Sequence, residues 1–411
     1  GAQTVNGLQF LNNGFTLVGD ALALIDGAGG TSNVRVGSGI SATLDVAVNG
    51  NATLAKVEGG TLVLNGNNGY TGGTQLNGGT LIVGSNSALG TGALTAANGT
   101  TLDANKVVTL GNASVLNGAL TVGGSHDLNL TGIVSGSGSL VKNGAADLAL
   151  NGVNTYQGGT RINAGSLTLG NNSALGSGVL TVGGNAELDG PVDLQLSNAI
   201  NLASRLSLAG SNDLALSGVI SGNGSLVKNG NGELLLTGAN TYSGGTTINA
   251  GSVVGNTSSL QGAILNNAAL TFEQASNGSY TGNLTGTGTL VKNGSGQLLM
   301  TGANGFTGTT TVNAGSLLVN GSLASATVAG RCSVACWSSS LRNALSWSGM
   351  AETNDANPAE AQIAPGADGS DACDLPENSK KKEKKDPGQC TAEYNAEVRH
   401  AMSRRKRQLK L

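Results

Sequence analysis

Residues 140–167 read LVKNGAADLALNGVNTYQGGTRINAGSL, and residues 226–253 read LVKNGNGELLLTGANTYSGGTTINAGSV. The two stretches keep Gly and Asn at fixed places and carry almost no charge. Aligning on them gives four copies, beginning at Leu54, Leu140, Leu226 and Leu290, with aromatic markers at Tyr70, Tyr156, Tyr242 and Phe306. Both series advance the numbering by 86, by 86 again and then by 64. The last interval is shorter by 22 with its motif intact, which predicts a removable unit of that length, four to each long interval and three to the short one. Recurrence at such a period is the mark of a stacked solenoid.

Within each copy the apolar runs are short and alternate with period two, as in Leu148-Ala149-Leu150 and Leu234-Leu235-Leu236. They end in Asn-Gly, Gly-Gly or Thr-Gly, so they read as short strands between turns. Asn143-Gly144, Asn229-Gly230 and Asn293-Gly294 suit turn positions that require positive φ. No segment has the length and period of a helix, which excludes βαβ units and leucine-rich horseshoes. The reading is all-β: a parallel β-helix of about 15 coils, on the order of 70 Å long at the usual strand spacing. Leu and Ile columns fill a narrow interior, Thr and Ser face outward, and Asn forms ladders at the turns.

Composition agrees. Gly is 68 of 411 residues, aromatics are 3% and charged residues 11%, too little charge for the usual disordered chain and too few aromatics for a thick globular core. The composition breaks near Gly330. Residues 1–330 hold 8 of the 21 Lys and Arg and no Cys or Trp, whereas 331–411 hold all four Cys, both Trp and only four Gly. Three parts follow: N-terminal coils over 1–53, the four-motif β-helix over 54–330, and a compositionally foreign, largely disordered tail over 331–411. The abruptness of the change points to a shifted reading frame as the origin of the tail. No apolar run is long enough to span a membrane, and the start GAQTVNGLQF has no signal-peptide pattern.

The repeated words resemble the passenger-associated transport repeat of bacterial autotransporter passengers. The resemblance lies in Leu140–Gly144, in Asn154–Thr160 and in Ile162–Leu167, and the copies at 226 and 290 keep it closely. The last copy has Gly305-Phe306-Thr307-Gly308-Thr309 in place of the Tyr and Gly-Gly, and the first opens with Leu54-Ala55-Lys56-Val57 but retains Gly69–Thr74. The resemblance implies a right-handed β-helix, exported through the outer membrane of a Gram-negative bacterium by a C-terminal β-barrel translocator that this sequence lacks. It also implies a cell-surface or extracellular location, repeats that support export and folding, and a passenger that is often an adhesin or other surface factor. Host or matrix receptors or glycans are the partners it implies.

A few single residues stand out against this background. His126-Asp127 becomes Asn212-Asp213 one repeat later, so the imidazole reads as structural or solvent-facing. Lys142, Lys228 and Lys292 precede Asn-Gly turns and suggest either a stripe for acidic glycans or a solvated column, the latter preferred because they lie several coils apart. The aromatics at 70, 156, 242 and 306 suggest sugar platforms or, preferably, covers over one end of a coil stack beside a Gly-rich turn. The Gly-Gly pairs are not a phosphate loop, since no Lys-Ser or Lys-Thr follows and no helix starts there. Glu187, Asp189 and Asp193 are the densest acids and invite a lone calcium site, although Pro191 marks a turn and surface acids read better. In the tail, Lys380–Lys385 and Arg404–Arg407 are basic runs of a kind common by chance, and Cys332, Cys336, Cys373 and Cys390 lack zinc spacing. No catalytic, cofactor-binding or metal residue is assigned, and no nucleic-acid partner is expected. The reading is a non-enzymatic β-helical stalk or adhesin scaffold; a polysaccharide lyase or hydrolase and a glycan-binding module are the alternatives.

Overall fold

Each short apolar run forms a strand because its alternate residues have somewhere to go. In Leu120–Val122, Leu140–Lys142, Thr160–Ile162 and Leu180–Val182 the first and third residues are buried and the middle one faces out. Every pairing between strands is parallel and nearly every one joins a residue to another about one coil later, as in Leu120↔Leu140↔Thr160↔Leu180. A strand of three residues buries only one or two side chains, each worth about 1.5–3 kcal/mol, so no coil is stable alone. The computed structural model describes residues 3–27 and 30–319, together with the strands Ser322–Leu323, Thr327–Gly330 and Val334–Cys336. It is a parallel β-solenoid of about 16 turns with no α-helix among the described residues. The expectations for the tail cysteines, for the basic runs and for disorder after residue 330 lie outside the described residues, apart from the backbone of Val334–Cys336, which pairs with Leu317–Val319.

The solenoid has three faces. Face one starts with Gly7–Phe10 and runs as seven strands to Val134–Ser135. Face two starts with Phe15–Leu17 and runs as eleven strands to Ile220–Gly222. Face three starts with Gln3–Val5 and stops after Val48–Gly50. Each then breaks for two rungs and resumes: face three at Val108–Leu110, face one at Leu194–Leu196 and face two at Gly278–Tyr280. The breaks fall at Tyr70, Tyr156 and Tyr242, where a buried Asn and a turn replace strands.

The rung is shorter than the unit expected from the spacing of the copies. Leu54 pairs with Thr74, Thr74 with Leu94, Leu94 with Ser114 and Ser114 with Val134, so each step advances the numbering by 20 rather than 22. Six residues after Val134 the chain reaches Leu140, on the next face. The long interval between copies is therefore four rungs plus one face. From Leu226 three rungs pass through Thr246 and Ile264 to Leu284, and six residues more bring Leu290. Division by four hides this extra face. Successive copies thus begin on faces one, two, three and one again.

The interior is a set of Leu, Val and Ile columns, with outward Thr and Ser half-buried against their neighbours. Asn ladders form at the corners: Asn163 Nδ2 donates to Asn143 Oδ1 at 2.7 Å, Asn249 to Asn229 at 2.8 Å and Asn313 to Asn293 at 2.9 Å. The Asn-Gly turns depart from expectation. Of the three glycines only Gly294 takes positive φ, at 79°; at Gly144 a Cβ would meet the Gly123 carbonyl at 2.2 Å, so close approach of neighbouring rungs selects glycine there. In the first copy Glu58 occupies the corresponding place with φ 68°.

Candidate functional site

Three polar side chains point inward in each of the first three copies: a lysine on one face, and an asparagine and a tyrosine at the break in another. The first is a lysine. Lys142 is the third residue of Leu140–Lys142, so alternation puts it on the same side as Leu140, in the column Val122–Lys142–Ile162. Its stem packs in the core and its Nζ turns to the corner, donating to the carbonyls of Gly144 and, at 3.3 Å, Ala164 one rung on. Lys56 Nζ donates to Val57, Glu58 and Gly78 carbonyls at 3.2, 2.7 and 2.9 Å; Lys292 does so to Asn293, Gly294 and Ala314 at 2.8, 2.8 and 3.1 Å. Lys228 donates to the Gly230 carbonyl. None of the four is more than 3% exposed. This corrects the expectation of a solvated column and removes the glycan stripe. Burial lowers all four ammonium pKa values, that of Lys56 to about 8 against a partly opposing pull from Glu58.

The second is an asparagine that stands in for the missing backbone ladder. Asn154 Oδ1 accepts from the Val134 N–H at 2.7 Å, and its Nδ2 donates to the Ala174 carbonyl at 2.7 Å. One carboxamide thereby spans three rungs. Asn68 does the same between Val48 and Ala88, at 2.8 and 2.7 Å, and Asn240 between Ile220 and Ser259, at 2.8 and 2.8 Å. Each is buried, where an unpaired amide would cost about 1–3 kcal/mol.

The third is the tyrosine. Tyr70, Tyr156 and Tyr242 are 0–1% exposed, and their hydroxyls bond Thr74, Thr160 and Thr246 at 2.6, 2.5 and 2.8 Å. Burial pushes the Tyr156 hydroxyl up to about 12. These rings are not sugar platforms. Nor do they cover an end of the stack: they fill the wall within it. One rung on, a helical turn replaces the strand, with Ala174 N–H on the Asn171 carbonyl and Gly176 N–H on the Ser173 carbonyl. Gly176 has φ 58°, and a Cβ there would meet the Tyr156 carbonyl at 2.2 Å and its ring at 3.1 Å, so the left-handed turn and the close approach of the Tyr156 backbone require the glycine.

The fourth copy keeps Lys292 and Asn304 but has Phe306. Asn304 Oδ1 still accepts from Leu284 N–H at 2.9 Å, but its Nδ2 turns back to Gly302 at 2.9 Å. Thr309 stands where Gly159 has φ 81°, and Ala303–Phe306 remains a strand. Face three therefore continues unbroken.

The remaining candidates are scattered. His126 is exposed, with Nδ1 3.1 Å from the Ala104 carbonyl. Glu187 faces outward, Asp189 accepts from Gly190 N–H at 2.6 Å and Asp193 from Asp213 N–H at 3.0 Å, so these aspartates brace turns. Among the described residues no three His, Cys, Asp or Glu side chains converge as a metal would need. Sequence reasoning missed the buried Asn and Thr, because hydropathy would turn Val153 inward and Asn154 outward, whereas Val153 is exposed and Asn154 buried.

The passenger-associated-transport-repeat family model matches residues 54–83, 140–169, 226–254 and 290–319. The chain is also 41% identical over 107 residues to the adhesin BmaC autotransporter of Brucella suis biovar 1 (strain 1330). That match takes in 24% of this chain and 3% of the relative, so the chain spans a small part of the protein it resembles. No solved structure matches. Such a passenger belongs at the cell surface or outside the cell, reached through the Gram-negative outer membrane. The chain is a β-solenoid that carries four passenger-associated transport repeats, and in these it is similar to autotransporter passengers.

Proposed function

We propose that this chain is a non-enzymatic stalk segment of a surface adhesin, and that its repeats serve folding and export rather than contact with a ligand. The observation that carries the reading is the placement of the most repeated side chains: lysine, asparagine and tyrosine all lie inside the wall, bonded to neighbouring rungs. Groups that recur for recognition belong outside. The relative named as an adhesin supports the scaffold role. In the longer protein the chain is joined to a C-terminal β-barrel translocator, and host receptors or glycans are met by surfaces other than the joints.

The test is display. The chain joined to an outer-membrane barrel is expected at full level on the cell surface, whereas variants with the three buried asparagines replaced by alanine accumulate in the periplasm. Equal display of both would contradict the role in folding and export. Release of sugar from a bacterial or host glycan by the purified chain, abolished by an acidic substitution, would contradict the non-enzymatic reading.

A further inference from the structure

We propose that each joint of Lys, Asn and Tyr is a register lock, which prevents the stack from closing with a whole rung looped out. The proposal rests on reading the repeats as folding elements and specifies what they do. The need for a lock comes from the columns themselves. Leu140, Thr160, Leu180, Ile200 and Ile220 occupy one inward column, and Leu180 packs on Leu140 about as well as it does on Thr160. Hydrophobic burial is non-directional, so it distinguishes poorly between neighbouring rungs. Weakly specified register is prone to slippage. This chain also shows the stack continuing with one rung fewer, because the interval from Leu226 to Leu290 is the longer interval less one rung.

The joint discriminates where the columns do not. Asn154 takes the Val134 N–H on one side and the Ala174 carbonyl on the other, and so reads the rung below and the rung above. Gly176 lies against Tyr156, where a Cβ would come within 2.2 Å of the carbonyl and 3.1 Å of the ring, and one rung further the equivalent residue is Leu196, whose side chain has no room there. Lys142 adds a second check on another face, since its Nζ must find the Ala164 carbonyl. Looping out residues 157–176 would take Ala174, Thr160 and Ala164 away from Asn154, Tyr156 and Lys142 at once. The face offset of the copies places the asparagine and tyrosine of the first three copies on different faces, one pair to each face.

Engineered disulfides read the register directly. In the full chain, with Cys332, Cys336, Cys373 and Cys390 changed to serine, Val141→Cys with Arg161→Cys reports the native register, because these outward residues are paired neighbours. Val141→Cys with Thr181→Cys reports the slipped one. Natively that pair is two rungs apart, about 9.6 Å, beyond the roughly 7 Å that a disulfide tolerates. After refolding in oxidising buffer, Asn154→Ala is expected to raise the 141–181 disulfide at least tenfold, while Leu202→Ala, a core cavity away from the joint, leaves it at the parent level. Should Asn154→Ala form neither disulfide, Asn154→Ser, which keeps an acceptor for the Val134 N–H, decides. Absence of the slipped disulfide above the parent level in Asn154→Ser, or equal slippage in Leu202→Ala, overturns the proposal. Full surface display of joint-disabled chains would instead overturn the folding and export role. A fall in display with only the native disulfide formed would overturn the lock alone.

Discussion

Asn154 donates its Nδ2 to the carbonyl of Ala174, one rung later, at 2.7 Å, and in doing so replaces a strand-to-strand hydrogen bond with a side chain. Replacement by alanine leaves that carbonyl and the Val134 N–H buried without partners. Asn154→Ala should therefore cost about 2–5 kcal/mol, read as a fall in the denaturant midpoint. Asn163→Ala, at an exposed rung of an Asn ladder, should cost under about 0.5 kcal/mol.

The buried lysines make a different claim. Lys142→Met retains the apolar stem but leaves the Gly144 and Ala164 carbonyls without their donor, and about 1–3 kcal/mol should be lost. Binding to an acidic polysaccharide, measured by calorimetry, should not change. A weakened affinity with unchanged stability would restore the stripe that burial argues against.

Glu58 is the one non-glycine residue at positive φ among those described, and Gly294 takes that place in the fourth copy. Its exposed pair with Arg35, at 2.7 Å, contributes at most about 1 kcal/mol. Relief of the left-handed strain, about 1–3 kcal/mol, outweighs it, so Glu58→Gly should raise the melting midpoint. The buried Ser32 hydroxyl has no hydrogen-bond partner, and Ser32→Ala should be neutral or stabilising for the same kind of reason.

Stability should also vary with pH in a defined way. Burial holds Lys56 at about 8, below the ordinary 10.5, so between these values the unfolded chain binds more protons and stability rises with pH. Tyr156 works in the opposite sense: held up at about 12, it contributes stability that is full below pH 10 and is lost as pH rises through 12. Chemical denaturation at pH 7, 9.5 and 11.5 should give its highest midpoint at the middle value. Lys56→Met should flatten the rise from 7 to 9.5.

The strands, the turns and the solenoid class are legible in the sequence because alternation in Leu140–Lys142 and the Gly-Asn punctuation are local signals. Rung length is not, because the interval from Tyr70 to Tyr156 mixes four rungs with one extra face, and spacing alone cannot separate the two. The lysines depart from expectation for a related reason. Charge normally marks a solvated face, and the carbonyls that receive Lys142 come from Gly144 and from Ala164, a rung away, which only the folded chain brings together. In sequence the asparagines read as turn formers and ladder members, and their buried subset at 68, 154 and 240 becomes visible only with the face breaks.

The central claim, a constant rung of about 20 residues under copies that move round the faces, can be measured with two spin labels. Thr121 and Ser221 share face two and are linked by the register Thr121↔Val141↔Arg161↔Thr181↔Asn201↔Ser221. Five steps of about 4.8 Å put them about 24 Å apart. Electron–electron dipolar spectroscopy on labels at these positions should give one narrow distribution centred near that value, allowing for the label arms. A longer rung, of the length that division of the copy interval by four implies, would carry position 221 off the face. The distribution would then be centred well away from that value, or be broad and multiple, and either result would contradict the account.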